Sequence, residues 1–416
     1  MRTLISNCAV VDIKAATVRP GQSIMIEAGR ILHVIPVGGE EGYPDLVIDG
    51  TGTFAIPGLI DMHVHIDHDP APPAPAGTTG GSSDRILTGF RAARNLREAA
   101  ASGVTSVRDL GGAHGVTFAV KEAWRRGEFI GARPFVAGQM ITAVGGHGAE
   151  RGDGLGREVC GPQETRRAVR ELIACGADVI KVVTGGVVAR TELTPEELGA
   201  AVDEAHWNGV TVASHANFSL RGIRNSIAAG CDSVEHCCVP DKRALEAMAE
   251  NRVAICPTIA VLSRIRTNPE LFGGDSSKLY LAVAGVWEKH LENVYLAHTM
   301  GIPILAGSDA GMTGVRFDAV LEEVRWLVHC GLTTAQALAA ATTSAADFLR
   351  CDDLGQIKAG GAADLVLLNR DPLQDIRALG DRYMVICGGH VIAHAEAPPS
   401  AYREVIPEVA ERHVPS

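Results

Sequence analysis

The 416-residue chain has no stretch approaching the roughly 20 apolar residues that a membrane span needs, so no transmembrane helix is expected. It has no basic stripe either: no run of lysine and arginine forms one, and the net charge is −11. That balance disfavours a phosphate backbone, which argues against nucleic acid and leaves a small-molecule substrate as the expected partner; a homo-oligomer is compatible with it. A third absence is the CxxC pair. Ten cysteines without one read as reduced, mostly buried thiols and not as a disulfide framework. The N-terminus passes directly into a strand-like pattern over residues 1–11, with no longer apolar segment and no cleavage site, so a cytoplasmic location is expected. Internal repeats and low-complexity tracts are missing too, apart from an alternation of strands and helices.

What is present is a large apolar fraction, 46% of residues, enough for one large domain and a smaller one. Residues 1–56 read as short strands with hairpin punctuation, and residues 353–416 repeat that style with Gly388-Gly389 as a turn. These two terminal segments are expected to pair into a small β-sandwich domain. Between them, over 57–352, strand candidates at 59–65, 104–110, 134–141, 179–184, 210–215, 233–236, 253–258 and 302–309 alternate with helical patterns. Helices are expected at 84–102, 162–175, 194–208, 219–230, 241–251 and 277–300. Eight such units make an α/β chain with a (β/α)8 TIM-like barrel, whose active site lies at the C-terminal strand ends. The Pro- and Gly-rich stretch 70–81 is a candidate lid, and 258–274 a second loop shaping the pocket.

The chemistry begins at His63-Val64-His65, which closes the apolar run Ile56 to Met62. Residues two apart on a strand share a face, so both imidazoles can aim at one ion. Four more ligand-type residues recur at or near later strand ends: Lys181, His215, His236 and Asp309. An HxH after the first barrel strand, Lys after the fourth, His after the fifth and sixth, and Asp after the eighth resembles the amidohydrolase superfamily in its dinuclear-metal form. The resemblance runs from the N-terminal β segment to Ala359-Gly360-Gly361-Ala362-Ala363-Asp364. Gly145-Gly146-His147-Gly148 and Thr184-Gly185-Gly186 are similar to loops of its prolidase-like subgroup, the one related to Xaa-Pro dipeptidases and imidazolonepropionase.

The resemblance implies two divalent metal ions, best suited by Zn2+, with His63, His65 and Asp309 holding one and His215 and His236 the other. It also implies that Lys181 bridges them as a carbamate derived from carbon dioxide. A free ammonium cannot ligate a cation, whereas a carboxylated lysine offers two oxygens and a negative charge. Hydrolysis is then expected by attack of a metal-bridging hydroxide on the amide of a dipeptide, an N-acyl amino acid or a related small amide, with Asp309 moving the proton to the leaving nitrogen. His147 is expected to face the substrate carbonyl or carboxylate, and Gly185 to let the backbone approach the substrate. Asn217 stands where some dipeptidases of the subgroup carry a tyrosine, which changes how a substrate carboxylate would be met. Lactones, esters, carbamates and ureas, or an imidazolonepropionase-like cyclic amide, are the alternatives; Lys181 argues against the last, whose members use one metal. Asp109 is read as structural, holding a neighbouring strand end through Arg108. His68, His114, His298, Cys237 and Cys238 are left outside the site.

Overall fold

The computed structural model of the chain describes residues 2–39, 42–71, 85–149, 154–186, 191–274 and 277–394. A parallel barrel occupies the middle. Its first three strands, Leu59–Val64, Val104–Asp109 and Arg133–Val136, pair in parallel. Val179–Val183, Thr211–His215, Ser233–Glu235 and Ala254–Cys256 form the parallel run of the other side. The two runs join where Asp178 N donates to Val136 O at 2.9 Å.

The third strand, expected as one piece, is split into Arg133–Val136 and Met140–Ala143. Gly138 between them has φ 71°, and a Cβ there would lie 2.4 Å from the Phe118 ring, so the chain turns where only glycine fits. The eighth strand is also irregular. Residues 302–310 make single bridges, Ile304 with Ile255 and Ala310 with Val64. Pro303 has no N–H to give, yet the segment still closes the ring. On one side Ile255 N donates to Pro303 O and Leu305 N to Ile255 O; on the other Met62 N donates to Ala306 O and Asp309 N to His63 O.

The helices Arg85–Ala101, Pro162–Ala174, Pro195–Trp207, Leu220–Ala229, Lys242–Asn251 and Lys278–Thr299 fall where the periodicity puts them. Their starts follow cap chemistry: Thr194 and Glu197 form a reciprocal capping box, while Ser219, Asp241 and Ser277 accept from amides of the first turn. Residues 258–274, expected as a loop, instead contain the helix Ile259–Thr267 and the 3-10 turn Pro269–Phe272. Burial of Ile259, Ala260, Val261, Leu262 and Ile265 favours the helix, and Glu323 Oε2 accepts from Ala260 N at its start. Residues 72–81 of the expected lid lie outside the described residues. Pro70 is described, and its carbonyl accepts from Gly314 N.

The terminal segments build one mixed sheet of eight strands. Its order runs His390–His394, Arg382–Cys387, Leu365–Leu368, Phe54–Pro57, Arg2–Asp12, Thr17–Glu27, Arg30–Pro36, with Leu46–Asp49 also paired to Arg2–Asp12. Ile5, Ile24, Ile26, Ala55, Leu365, Leu367 and Ile386 gather into an apolar core of its own. Phe54–Pro57 leads directly into the first barrel strand, so the sheet anchors the segment that carries His63 and His65. No helix among the described residues is long and apolar enough to cross a membrane.

Candidate metal centre

The barrel interior is polar where an ordinary barrel packs branched apolar side chains. Asp61, His63 and His65 share one face of the first strand, and Ser233 and Glu235 share one face of the sixth; all five are buried. Each histidine of the HxH pair is held through its Nδ1. His63 Nδ1 lies 2.8 Å from Glu235 Oε2, and His65 Nδ1 lies 2.9 Å from the Gly111 carbonyl oxygen. Both partners are acceptors, so both Nδ1 atoms carry the proton and Nε2 of each neutral ring presents the lone pair; burial works against a charge on His65, but the hydrogen bond with Asp309 outweighs it and raises its pKa. Those lone pairs face a third acceptor. Asp309 Oδ1 is 3.7 Å from His63 Nε2 and 3.3 Å from His65 Nε2.

Strand closure puts Asp309 there. Its backbone is left-handed, with φ 62°, and the glycines on either side let the eighth segment press against the HxH. A Cβ on Gly307 would lie 2.8 Å from His63 Cβ, and one on Gly311 would lie 2.2 Å from His65 O. Burial works to push the Asp309 carboxyl up, but His63, His65 and His236 around it outweigh that and hold it well below the usual carboxylate range.

The second cluster comes from the fifth and sixth strands. His236 turns in through φ 66°, its Nδ1 lies 2.7 Å from Thr258 Oγ1, and its Nε2 lies 3.0 Å from His215 Nδ1. Burial first, and then the neighbouring histidine, drives both rings well below the usual imidazole range, so both are neutral. The ligand atoms of His63, His236 and Asp309 lie within 4.8 Å of one another, which brings the two clusters into one site. Lys181 belongs to it. Its side chain is fully buried, and its ammonium has no hydrogen-bond partner among the described residues. Burial, reinforced by Arg108, lowers its pKa to about 8 against the opposing pull of Glu235 and Asp309.

His147 stands beside this cluster, its ring stacked on His215 at 4.8 Å between centroids. Gly185 packs against Ser219, where a Cβ would lie 2.7 Å from Ser219 Cβ. Asn217 is committed to the loops: its Oδ1 accepts from Phe218 N, and its carbonyl accepts from Cys238 N. His68, left outside the site from sequence, stacks on His65 at 5.1 Å. Asp109 holds the chain directly, accepting from Ile66 N at 2.9 Å. The strand-end contact expected through Arg108 exists, but it goes elsewhere: Arg108 Nε donates to Met62 O at 2.6 Å, and Nη2 pairs with Glu235 Oε1 at 2.9 Å.

Glu235, Thr258 and Asp61 escaped the sequence reading. Asp61 accepts from His63 N and from the Ser308 amide and hydroxyl, and so ties the first strand to the eighth. Burial pushes its carboxyl up to about 7, against those hydrogen bonds. The period-two rule that pairs His63 with His65 also puts Asp61 on their face, so this residue was open to detection. Glu235 carried no such signal, because its partners His63 and Arg108 lie far away in sequence.

A model described as the amidohydrolase family matches residues 54–392. Ochratoxinase of Aspergillus niger is 31% identical over 353 residues, covering 77% of this chain and 71% of the relative. The solved structure of a Xaa-Pro dipeptidase with methionine bound in its active site aligns with a TM-score of 0.84 at 29% identity, covering 94% of this chain and 99% of the other. A prolidase complexed with N-methylphosphonate-L-proline aligns with a TM-score of 0.83 at 28% identity, covering 95% and 100% respectively.

Proposed function

The chain belongs to the amidohydrolase family and is a hydrolase of carbon–nitrogen bonds, and from that premise we propose that it cleaves the amide of a dipeptide, an N-acyl amino acid or a related small amide. Two divalent ions, Zn2+ by preference, serve the reaction. His63, His65 and Asp309 would hold one and His215 and His236 the other, with Lys181 bridging them as a carbamate. The observation that carries this reading is a set of buried ligand-type atoms without a hydrogen-bond partner among the described residues: the acceptors Asp309 Oδ1 and His215 Nε2, and Lys181 Nζ. Buried polar groups left so are costly; a cation would satisfy the two acceptors, and carboxylation would turn the lysine into a third. The ligand atoms of His63, His236 and Asp309, all within 4.8 Å of one another, support the same placement.

Divalent ions in this place supply an activated water and polarise the substrate carbonyl. The side chains do the rest. Asp309, whose carboxyl stays well below the usual carboxylate range, takes the proton of the attacking water and delivers it to the leaving nitrogen. Its Oδ1 faces His63 and His65, so Oδ2 is the oxygen left to carry that proton. His147, stacked beside His215, faces the carbonyl from the loop after the third strand. Neutral His215 and His236 keep their lone pairs for binding.

The ten cysteines, none of them paired, support a reducing cytoplasmic compartment. The partner is a small molecule, with assembly into identical copies the one macromolecular contact retained. The test is elemental analysis of the purified chain followed by a hydrolysis screen of dipeptides, N-acyl amino acids and lactones. About two bound divalent ions per chain and turnover of an amide are expected. A chain without bound metal, or one that opens lactones and leaves every amide intact, sinks the reading.

A further inference from the structure

Glu235 is fully buried, and both of its oxygens are engaged. Oε2 accepts from His63 Nδ1 at 2.8 Å; Oε1 accepts from Arg108 Nη2 at 2.9 Å and from the Ser233 hydroxyl at 2.5 Å. Arg108 is equally buried and has no freedom of its own. Nε donates to Met62 O, Nη1 donates to Ser233 Oγ at 3.2 Å, and the guanidinium packs over the Phe348 ring at 5.3 Å. A guanidinium only donates and a carboxylate only accepts. The direction of the chain Arg108 to Glu235 to His63 is therefore set from one end to the other. We propose, building on the metal centre argued above, that Arg108 and Glu235 are positioning residues: the guanidinium fixes the carboxylate, and the carboxylate holds His63 in the one tautomer whose Nε2 can bind the first ion.

A buried ion pair that merely braces the barrel would look the same in a static structure, so the two roles must be parted by substitution. Glu235→Gln keeps the shape and gives the side chain one acceptor and one donor end. The charged Arg108 takes the amide oxygen, since a bond to an ionised donor is roughly twice as strong as a neutral one. The amide NH2 is then turned on His63 Nδ1, which must accept, and the proton moves to Nε2, where it blocks the ion. Removing the competitor as well, in Arg108→Met with Glu235→Gln, frees the amide oxygen to accept from His63 Nδ1 again. A tautomer-setting role thus predicts that the double variant recovers what the single one lost. A bracing role predicts that it loses more.

The measurements are chelator competition on the metal-loaded chain and 15N-histidine NMR on the metal-free chain. Glu235→Gln is expected to bind the first ion about 10- to 100-fold more weakly, the range seen when a partner of a metal-binding histidine is removed, and to move the His63 proton to Nε2. The double variant is expected to bring both readouts back toward wild type. Should Glu235→Gln fail to fold, Glu235→Asp keeps the charge for Arg108 and shortens the reach to His63, and the same weakening of the first ion is expected. The assignment falls if Glu235→Gln or Glu235→Asp binds both ions as tightly as wild type, or if the double variant binds more weakly than Glu235→Gln. The NMR readout separates this from the metal centre itself. Wild-type protein with His63 Nε2 unprotonated but no affinity for divalent ions would refute the centre while upholding the role of Glu235.

Discussion

The two histidine pairs at the barrel mouth are held in different ways. On the side of the first strand, each Nδ1 is bonded to an acceptor that the fold itself fixes, Glu235 for His63 and the Gly111 carbonyl for His65. On the side of the fifth and sixth strands, His236 rests on the Thr258 hydroxyl, while His215 leans on His236 and leaves its own Nε2 buried without a partner among the described residues. One half is shaped before anything binds. The other has buried atoms, Lys181 Nζ among them, without a partner among the described residues, which the proposed ions and carbamate would supply. A preorganised half should keep its ion when the site is damaged, and a half completed by its ligand should lose it.

The largest effect is expected from Lys181→Ala. With Lys181 removed from its proposed bridging place, the second ion would have only two neutral imidazoles, so turnover should fall below detection and metal content should drop toward one ion per chain. Short-chain carboxylic acids added back should restore part of both, because a free carboxylate can take the bridging place. Two ions retained in Lys181→Ala would break the contrast between the halves. The pH dependence follows from the same residue. Burial lowers the Lys181 pKa from 10.5 to about 8, and only the neutral amine reacts with carbon dioxide. In metal-free protein the amine is protonated below pH 8 and neutral above it. Reconstitution with metal at a fixed concentration of dissolved carbon dioxide should therefore speed up as pH rises through about 8 and level off beyond. A flat profile of activation rate from pH 6 to 9 would rule out carbamate formation as the controlling step.

Asp309→Asn should come next. An amide cannot carry the proton from water to the leaving nitrogen, and lost general acid–base catalysis is worth about 100- to 10,000-fold in turnover. Since His63 and His65 keep their anchors, the first ion should remain, seen by elemental analysis of the variant. Near-normal turnover would remove Asp309 from the proton path.

Much of this was legible before any coordinates, and the reason lies in periodicity. The HxH pair, the strand-end Lys181, His215 and His236, and the alternation that makes the barrel are all local patterns, readable from residues two or four apart. Where the reading failed, the deciding contact was distant in sequence. Glycine at 138 splits the third strand because Phe118 lies against it, and the helix Ile259–Thr267 forms in an expected loop because its face is buried and Glu323 caps its start. Glu235 shows the limit best. Its one near partner is Ser233, two residues back, while the contacts that matter join Arg108 of the second strand to His63 of the first. The mistaken path through Asp109 has the same cause, since alternation alone does not say how far a buried arginine reaches.

The smallest expected effect sharpens the comparison from the substrate side. His147 stacks on His215, the ring of the less anchored half, at an angle of 29° between planes, so it can act in either of two ways. If it donates to the substrate carbonyl, His147→Asn keeps a donor at shorter reach and should cost about 10- to 100-fold in kcat/KM, the 1.5–3 kcal/mol of a hydrogen bond to a developing charge. Metal content should not change. If instead it only buttresses His215, the same substitution should weaken the second ion and leave the metal-saturated enzyme as fast as wild type. Measuring kcat/KM and metal content at saturating metal separates the two. A drop in kcat/KM with full metal keeps His147 at the substrate, whereas normal kcat/KM with weakened metal moves it to the support of His215 and makes the second half less dependent on its ion than the first comparison implies.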